Sequence, residues 1–169
     1  MEFYHPTGRC RDGQETGYEP KPFVRNILRA ARQNSNFRTA FWTGCHLQMT
    51  LMSIPHWGEI GVEMHPDTDQ IIRVEEGQGL VRMGDGKESL NFQCRLAPGD
   101  AVFVPKGTWH NVLNTGNCPL KLSSIYGPPH HPQGTVHRTK TEAEQEEHGR
   151  INYVPPGETM GGAAAFGKI

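Results

Sequence analysis

Residues Gly99 to Asn114 read G-D-A-V-F-V-P-K-G-T-W-H-N-V-L-N. A short apolar strand, Ala101 to Pro105, runs into a Pro-x-Gly turn, and the turn delivers His110 onto the start of the next strand. About thirty-five residues upstream lies E-M-H-P-D-T-D-Q-I-I-R-V-E-E-G, from Glu63 to Gly77. It offers Glu63, His65, Asp69 and Gln70. Nitrogen and oxygen donors on two neighbouring strands are what a divalent metal site in a small β-barrel requires.

The two stretches resemble the paired motifs of the cupin superfamily. The second motif of that family places Gly, Pro-x-Gly, His and Asn at set distances, and Gly99, Pro105, Gly107, His110 and Asn114 match it without departure. The first motif runs His-x-His, then Glu, then Gly. Its second His, its spacing and its final Gly match at His65 and Gly77, while Glu63 stands for the first His and Gln70 for the Glu. The chain is identified as a small single-domain cupin on these residues, with the resemblance covering roughly residues 40 to 126. The resemblance implies a metal held by Glu63, His65, Gln70 and His110.

Strand and turn signals agree with that fold. Strands are expected over residues 38–43, 46–54, 59–65, 70–75, 80–83, 89–96, 101–105, 110–113 and 120–126. Gly84-Asp85-Gly86 and Ala97-Pro98-Gly99-Asp100 mark turns between them. Short strands without strand–helix alternation predict an all-β, double-stranded β-helix (jelly-roll) barrel. Apolar residues at 23, 24, 27, 28 and 31 predict a short N-terminal helix over 21–33, with Pro22 in its first turn. The acidic run 141–148 predicts a short, exposed C-terminal helix whose glutamates are solvated. The expected organisation is an N-terminal arm and helix (1–36), a barrel (37–127) and a C-terminal extension (128–169).

Glu63 and His65 are two apart on a strand and so share a face. Pro66 biases His65 to an extended backbone. Asp69 rivals Gln70, but the seven-residue distance to Gly77 favours Gln70, and Asp67 and Asp69 suit the backbone of the 66–69 turn. The donor set fits Zn²⁺, Mn²⁺, Fe²⁺ or Ni²⁺, and it contains no thiolate. Exchanging His for Glu at 63 and Glu for Gln at 70 leaves the net ligand charge unchanged. Among other histidines, His46 and His56 lie on or beside strands, and an inward His56 would back up a ligand. His130 and His131 sit in a proline-rich exit segment read as surface. Trp109 faces away from His110 and packs.

The chain has 169 residues, Gly 20, Pro 13 and a formal net charge of −1. One domain is expected. The absence of a basic excess argues against a nucleic-acid partner. No apolar run approaches the length needed to cross a bilayer, and no signal peptide is read at the N-terminus, so a cytoplasmic protein is expected. Cys10, Cys45, Cys94 and Cys118 form no C-x-x-C pair and are expected as reduced thiols.

Three functions remain open at this point. Glu63-x-His65-Pro66-Asp67 also resembles the metal-binding segment of type I phosphomannose isomerases, so a metal-dependent enzyme acting on a small sugar-like or carboxylic substrate is expected, with aldose–ketose isomerisation of a sugar as the leading reading. No phosphate pocket is evident in the sequence, and Arg73, Arg82, Lys106 and Lys121 are the residues that could contribute to one. An iron-dependent dioxygenase would use two His and Glu63. A small-ligand-binding or sensing module would use the metal as an anchor. No catalytic residue is assigned. The N-terminal arm makes a homodimer the expected assembly.

Overall fold

The computed structural model describes residues 22 and 24–151; the expected N-terminal arm (1–20) and the tail beyond 151 lie outside them. Nine strands follow α1 (Ile27–Gln33): β1 (Arg38–Thr43), β2 (Gln48–Ile54), β3 (Asp69–Glu76), β4 (Gly79–Gly84), β5 (Phe92–Leu96), β6 (Ala101–Val104), β7 (Trp109–Asn114), β8 (Leu120–Gly127) and β9 (Val136–His137), and α2 (Lys140–Ile151) closes the order. They form a six-stranded sheet, β6-β3-β8-β2-β1-β9, and a three-stranded sheet, β5-β4-β7. Every strand pair is antiparallel. The sheets share one core: Val81, Leu96 and Val112 from the small sheet pack with Met52, Ile54, Ile72, Val74, Leu120 and Leu122 from the large one. This is the jelly roll the strand pattern predicts.

The register of the large sheet sorts the barrel interior by polarity. Alternate residues of a strand share a face, so residues paired across β2, β8 and β3 form cross-rows. At one end lies Ile54 opposite Leu120, followed by Met52, Leu122 and Val74. The next row is Thr50, Ser124 and Ile72, and the last is Gln48, Tyr126 and Gln70. All of these side chains are buried. The dry rows supply hydrophobic stabilisation of about 1.5–3 kcal/mol per fully buried aliphatic side chain. The polar rows cannot, and each of their groups needs a partner.

The structure departs from the expected elements in four places. The segment 59–65 is no regular strand; it touches β7 through isolated bridges at Glu59–Leu113 and Glu63–His110. Gly61 breaks it, with φ +108°, and gives its N–H to the Asn111 side chain at 3.0 Å rather than to a ladder. Helix α1 begins at Ile27, because the Asn26 side chain accepts from the Arg29 N–H at 2.9 Å and so caps it. The tip of the β4–β5 connection lies past Gly84-Asp85-Gly86, where the Ser89 N–H closes back on the Gly86 carbonyl. Strand β9, absent from the sequence reading, pairs Val136 and His137 with Thr39 and Arg38.

Helix α2 is longer than expected and not wholly solvated. Ala143 is buried against the core, and Glu146 meets the buried His137 ring at 2.5 Å. Cys94 and Cys118 are exposed free thiols, whereas Cys45 is disulfide-bonded, contrary to the expectation of reduced thiols throughout. Among the described residues no helix is long and apolar enough to cross a membrane.

Candidate metal centre

Backbone bonds tie the two motif stretches directly to each other. Glu63 and His110 exchange reciprocal N–H···O bonds of 3.0 and 2.9 Å. The Gly107 N–H donates to the His65 carbonyl at 2.7 Å. Gly107 holds φ +78°, a conformation that costs other residues energy, so glycine in the Pro-x-Gly turn has a local cause. The Asp69 carboxylate accepts from the Lys106 N–H at 2.9 Å. Asp69 therefore staples the two turns together instead of serving its own, and its side chain is not a rival to Gln70.

These bonds bring three donors to one place. One ligand atom each from Glu63, His65 and His110 lies within 4.8 Å of the other two. Glu63 Oε1 is 3.5 Å from His65 Nε2 and 3.4 Å from His110 Nε2. His110 is fully buried and its Nδ1 sits 3.0 Å from the Thr108 carbonyl. A carbonyl only accepts, so Nδ1 carries the hydrogen and Nε2 presents a lone pair. His65 Nε2, His110 Nε2 and Glu63 Oε1 have no hydrogen-bond partner among the described residues.

Gln70 stands beside this group, linked through Tyr126. The Gln70 Nε2 donates to the Tyr126 hydroxyl at 2.9 Å, and the Tyr126 ring lies 5.7 Å from that of His65. The Gln70 Oε1 is buried without a partner among the described residues. Burial above all lifts the Tyr126 pKa; Glu63 adds to the rise and Arg38 opposes it. The phenol therefore stays protonated, and while its oxygen accepts from Gln70 its own hydrogen remains to be donated.

Arg38, on β1 and only 2% exposed, places Nη2 3.6 Å from Glu63 Oε2. Burial pushes the Glu63 carboxyl upward, but contacts with His110 and His65 and the Arg38 charge outweigh it and hold the group well below the usual carboxylate range. Glu63 is thus an anion with one oxygen toward Arg38 and the other toward two imidazoles.

The chemistry of this set fits a divalent cation. Buried donor atoms that face one another without hydrogen-bond partners are costly unless a shared proton or cation joins them. Bonds of about 2.1 Å in a tetrahedral site put ligand atoms about 3.4 Å apart, close to the two distances from Glu63 Oε1.

Two further histidines belong to this end of the barrel, against the sequence reading that put them on the surface. The His130 ring lies 4.1 Å from that of His65 and stacks on Tyr126. His131 is buried edge-on to Tyr126. The Gln48 amide clamps its backbone, accepting from the His131 N–H at 2.9 Å and donating to its carbonyl at 2.8 Å. Burial first, then Arg38 and His130, drives the His131 pKa down to about 2, so the ring is neutral. A Pro-rich run carries no period that reveals such packing; the buried Gln48 side chain that holds it is 83 positions away.

The other histidine expectations fail or hold locally. His46 and His56 are exposed, and His56 bonds the Gly116 carbonyl far from the cluster. Trp109 is half-buried beside the inward His110, as alternation requires. Asn114, the last position of the second motif, is structural: its amide donates to the carbonyls of Ile54, Pro55 and Cys118, and its oxygen accepts from the Gly116 N–H. Clefts of about 640 and 460 Å³ open on the surface, and neither is lined by a residue of the cluster.

Comparison with known proteins bears on the same region. A family model described as a cupin domain matches residues 50–126. The uncharacterized protein YrkC of Bacillus subtilis is 58% identical over 130 residues, spanning 77% of this chain and 70% of that one. An uncharacterized protein of Acanthamoeba polyphaga mimivirus is 36% identical over 115 residues, 68% of this chain and 70% of its own. A crystal structure from Bacillus halodurans is 56% identical with a TM-score of 0.74, covering 75% of this chain and 96% of the other.

Proposed function

This chain belongs to the cupin family, and from that premise we propose that it is a metal-dependent enzyme of the oxygenase type, built on two histidines and one carboxylate. The observation that carries the reading is the cluster itself: Glu63, His65 and His110 present donor atoms within 4.8 Å of one another. Two imidazoles and a carboxylate are the donor set associated with non-haem Fe²⁺ oxygenases. Gln70 Oε1 serves as a fourth, neutral donor. A ferrous ion held there would supply redox chemistry toward a small oxygen-bearing substrate. The residues around it have separate tasks. Arg38 keeps Glu63 ionised and turned toward the imidazoles, the Thr108 carbonyl fixes the His110 tautomer, and Tyr126 orients Gln70.

The isomerase reading loses support at its phosphate contacts. Arg73 is engaged by Glu75, and Lys121 donates to Asn34 and Ser53 beside the 460 Å³ cleft. A non-catalytic binding module stays the second reading, because the donors Glu63 Oε1, His110 Nε2 and Gln70 Oε1 are all sealed from solvent, as in closed structural sites.

The test is anaerobic purification followed by metal analysis and oxygen-uptake assays over a panel of small carboxylic and sugar substrates. About one iron per chain, with uptake abolished by chelation and by His110→Ala, is the expected result. Bound Zn²⁺ with no turnover favours the binding module, and absence of any bound divalent ion rejects both.

A further inference from the structure

Trp57 is 83% exposed and has φ +60°, the one non-glycine left-handed residue among those described. It occupies the third position of a turn closed by a Gly58 N–H bond to the Pro55 carbonyl at 2.8 Å. That position favours glycine, and a bulky residue there is strained. An indole that is both solvent-exposed and held in an unfavourable backbone gains nothing for the core, and strain of this kind gathers at functional positions.

The indole lines the cleft of about 640 Å³, a volume in the range of small-molecule sites. Around it stand His56, Gln78, Thr115, Asn117 and Cys118, and the rest of the wall is glycine and proline. Among the described residues no Lys, Arg, Asp or Glu lines it. The rim is pre-organised: the Gln78 carbonyl accepts from the Thr115 and Gly116 N–H groups at 3.0 and 3.2 Å, and His56 Nδ1 donates to the Gly116 carbonyl. The cleft sits where β2 ends and β8 begins, at the dry end of the barrel, opposite the histidine cluster.

We propose that this cleft is a second binding site, for a neutral saccharide. An aromatic face packs against the C–H face of a sugar ring, whose hydrogens meet the negative side of the indole. The amides of Gln78 and Asn117 and the Thr115 hydroxyl suit ring hydroxyls as both donors and acceptors. Without a Lys or Arg the wall offers a phosphate or carboxylate only the His56 ring and neutral donors, and without an Asp or Glu it has nothing to pair with an ammonium group. The site is independent of any metal.

The experiment uses the full chain and three variants. Trp57→Gly removes the platform and suits the backbone, so it is expected to raise the melting temperature. Gln78→Ala and Asn117→Ala keep the indole. Glucose, maltose and cellobiose are titrated against tryptophan fluorescence and saturation-transfer NMR, with AMP and choline as charged controls. The expected result is sugar binding with a Kd on the order of millimolar, the scale for a small ligand at an open site, weakened at least tenfold in Trp57→Gly and several-fold in the amide variants. The proposal is overturned if none of the sugars binds at 100 mM, if Trp57→Gly binds as the wild type does, or if AMP or choline binds more tightly than the sugars.

Discussion

Replacing Glu63 by Gln separates two roles that one carboxylate plays. In the metal-free protein it neutralises Arg38. At 3.6 Å and an effective dielectric of about 20, their attraction is about 4–5 kcal/mol before desolvation. Breaking a buried pair costs about 3–5 kcal/mol. Glu63 is 15% exposed and Arg38 has other interactions, so the cost falls just below that range, at about 2–3 kcal/mol. For a domain of this size that is a melting temperature lower by roughly 4–12 °C. The second role appears on adding metal. At one hundred times its Kd a divalent ion stabilises the wild type by about 2.7 kcal/mol, or roughly 5–11 °C. Losing an anionic ligand and hence about 100-fold in affinity leaves only about 0.4 kcal/mol at the same concentration, roughly 1 °C. Differential scanning fluorimetry, with and without Fe²⁺ under nitrogen or with Zn²⁺ in air, reads both numbers. A Glu63→Gln protein that melts lower but gains as much from metal as the wild type would refute the ligand role and leave only a counter-ion to Arg38.

Three other outcomes follow from named groups. The folded-state pKa of His131, about 2, lies below its ordinary 6.5, so the unfolded chain binds the proton more readily and stability falls as pH drops from about 6.5 toward 2. At pH 5 this amounts to about 2 kcal/mol, which urea denaturation should lose in His131→Gln. The depressed Glu63 carboxyl acts in a different window: its contribution is present above about 4.5 and disappears only as pH falls below that. Asn114→Ala unties three carbonyls and one N–H and should cost about 2–4 kcal/mol, measured by urea unfolding; a loss under 1 kcal/mol would mean that water takes over those groups. Gln48→Met removes the clamp on His131, and its amide should exchange with deuterium at least tenfold faster while amides of β2 itself stay protected.

The sequence announces the barrel because strand alternation and turn residues are local signals. Pro105, Gly107 and Gly99 act within a few residues of themselves, and both glycines have positive φ. His65 and His110 are legible because they fall on the two stretches that resemble the cupin motifs, and the turn at Gly107 ties those stretches together. What stayed hidden depends on distant partners. How the Gln70 amide is turned depends on Tyr126, a residue 56 positions away. Arg38 looks like an ordinary strand residue until the fold buries it against Glu63. The segment 59–65 reads as a strand by composition, yet Gly61 and the Asn111 side chain interrupt it. His56 reads as a possible inward residue, yet its turn projects it outward.

The graded interior, aliphatic at Ile54 and Leu120 and polar at Gln48, Tyr126 and Gln70, has an evolutionary corollary. Mutational robustness resides in one half of the molecule and chemical novelty in the other. Substitutions at Thr50, Ser124 or Gln70 act on the polar end and leave the aliphatic rows in place, whereas changes at Met52 or Leu122 must preserve volume. A scaffold partitioned in this way can change its polar end while its aliphatic end goes on holding the two sheets together.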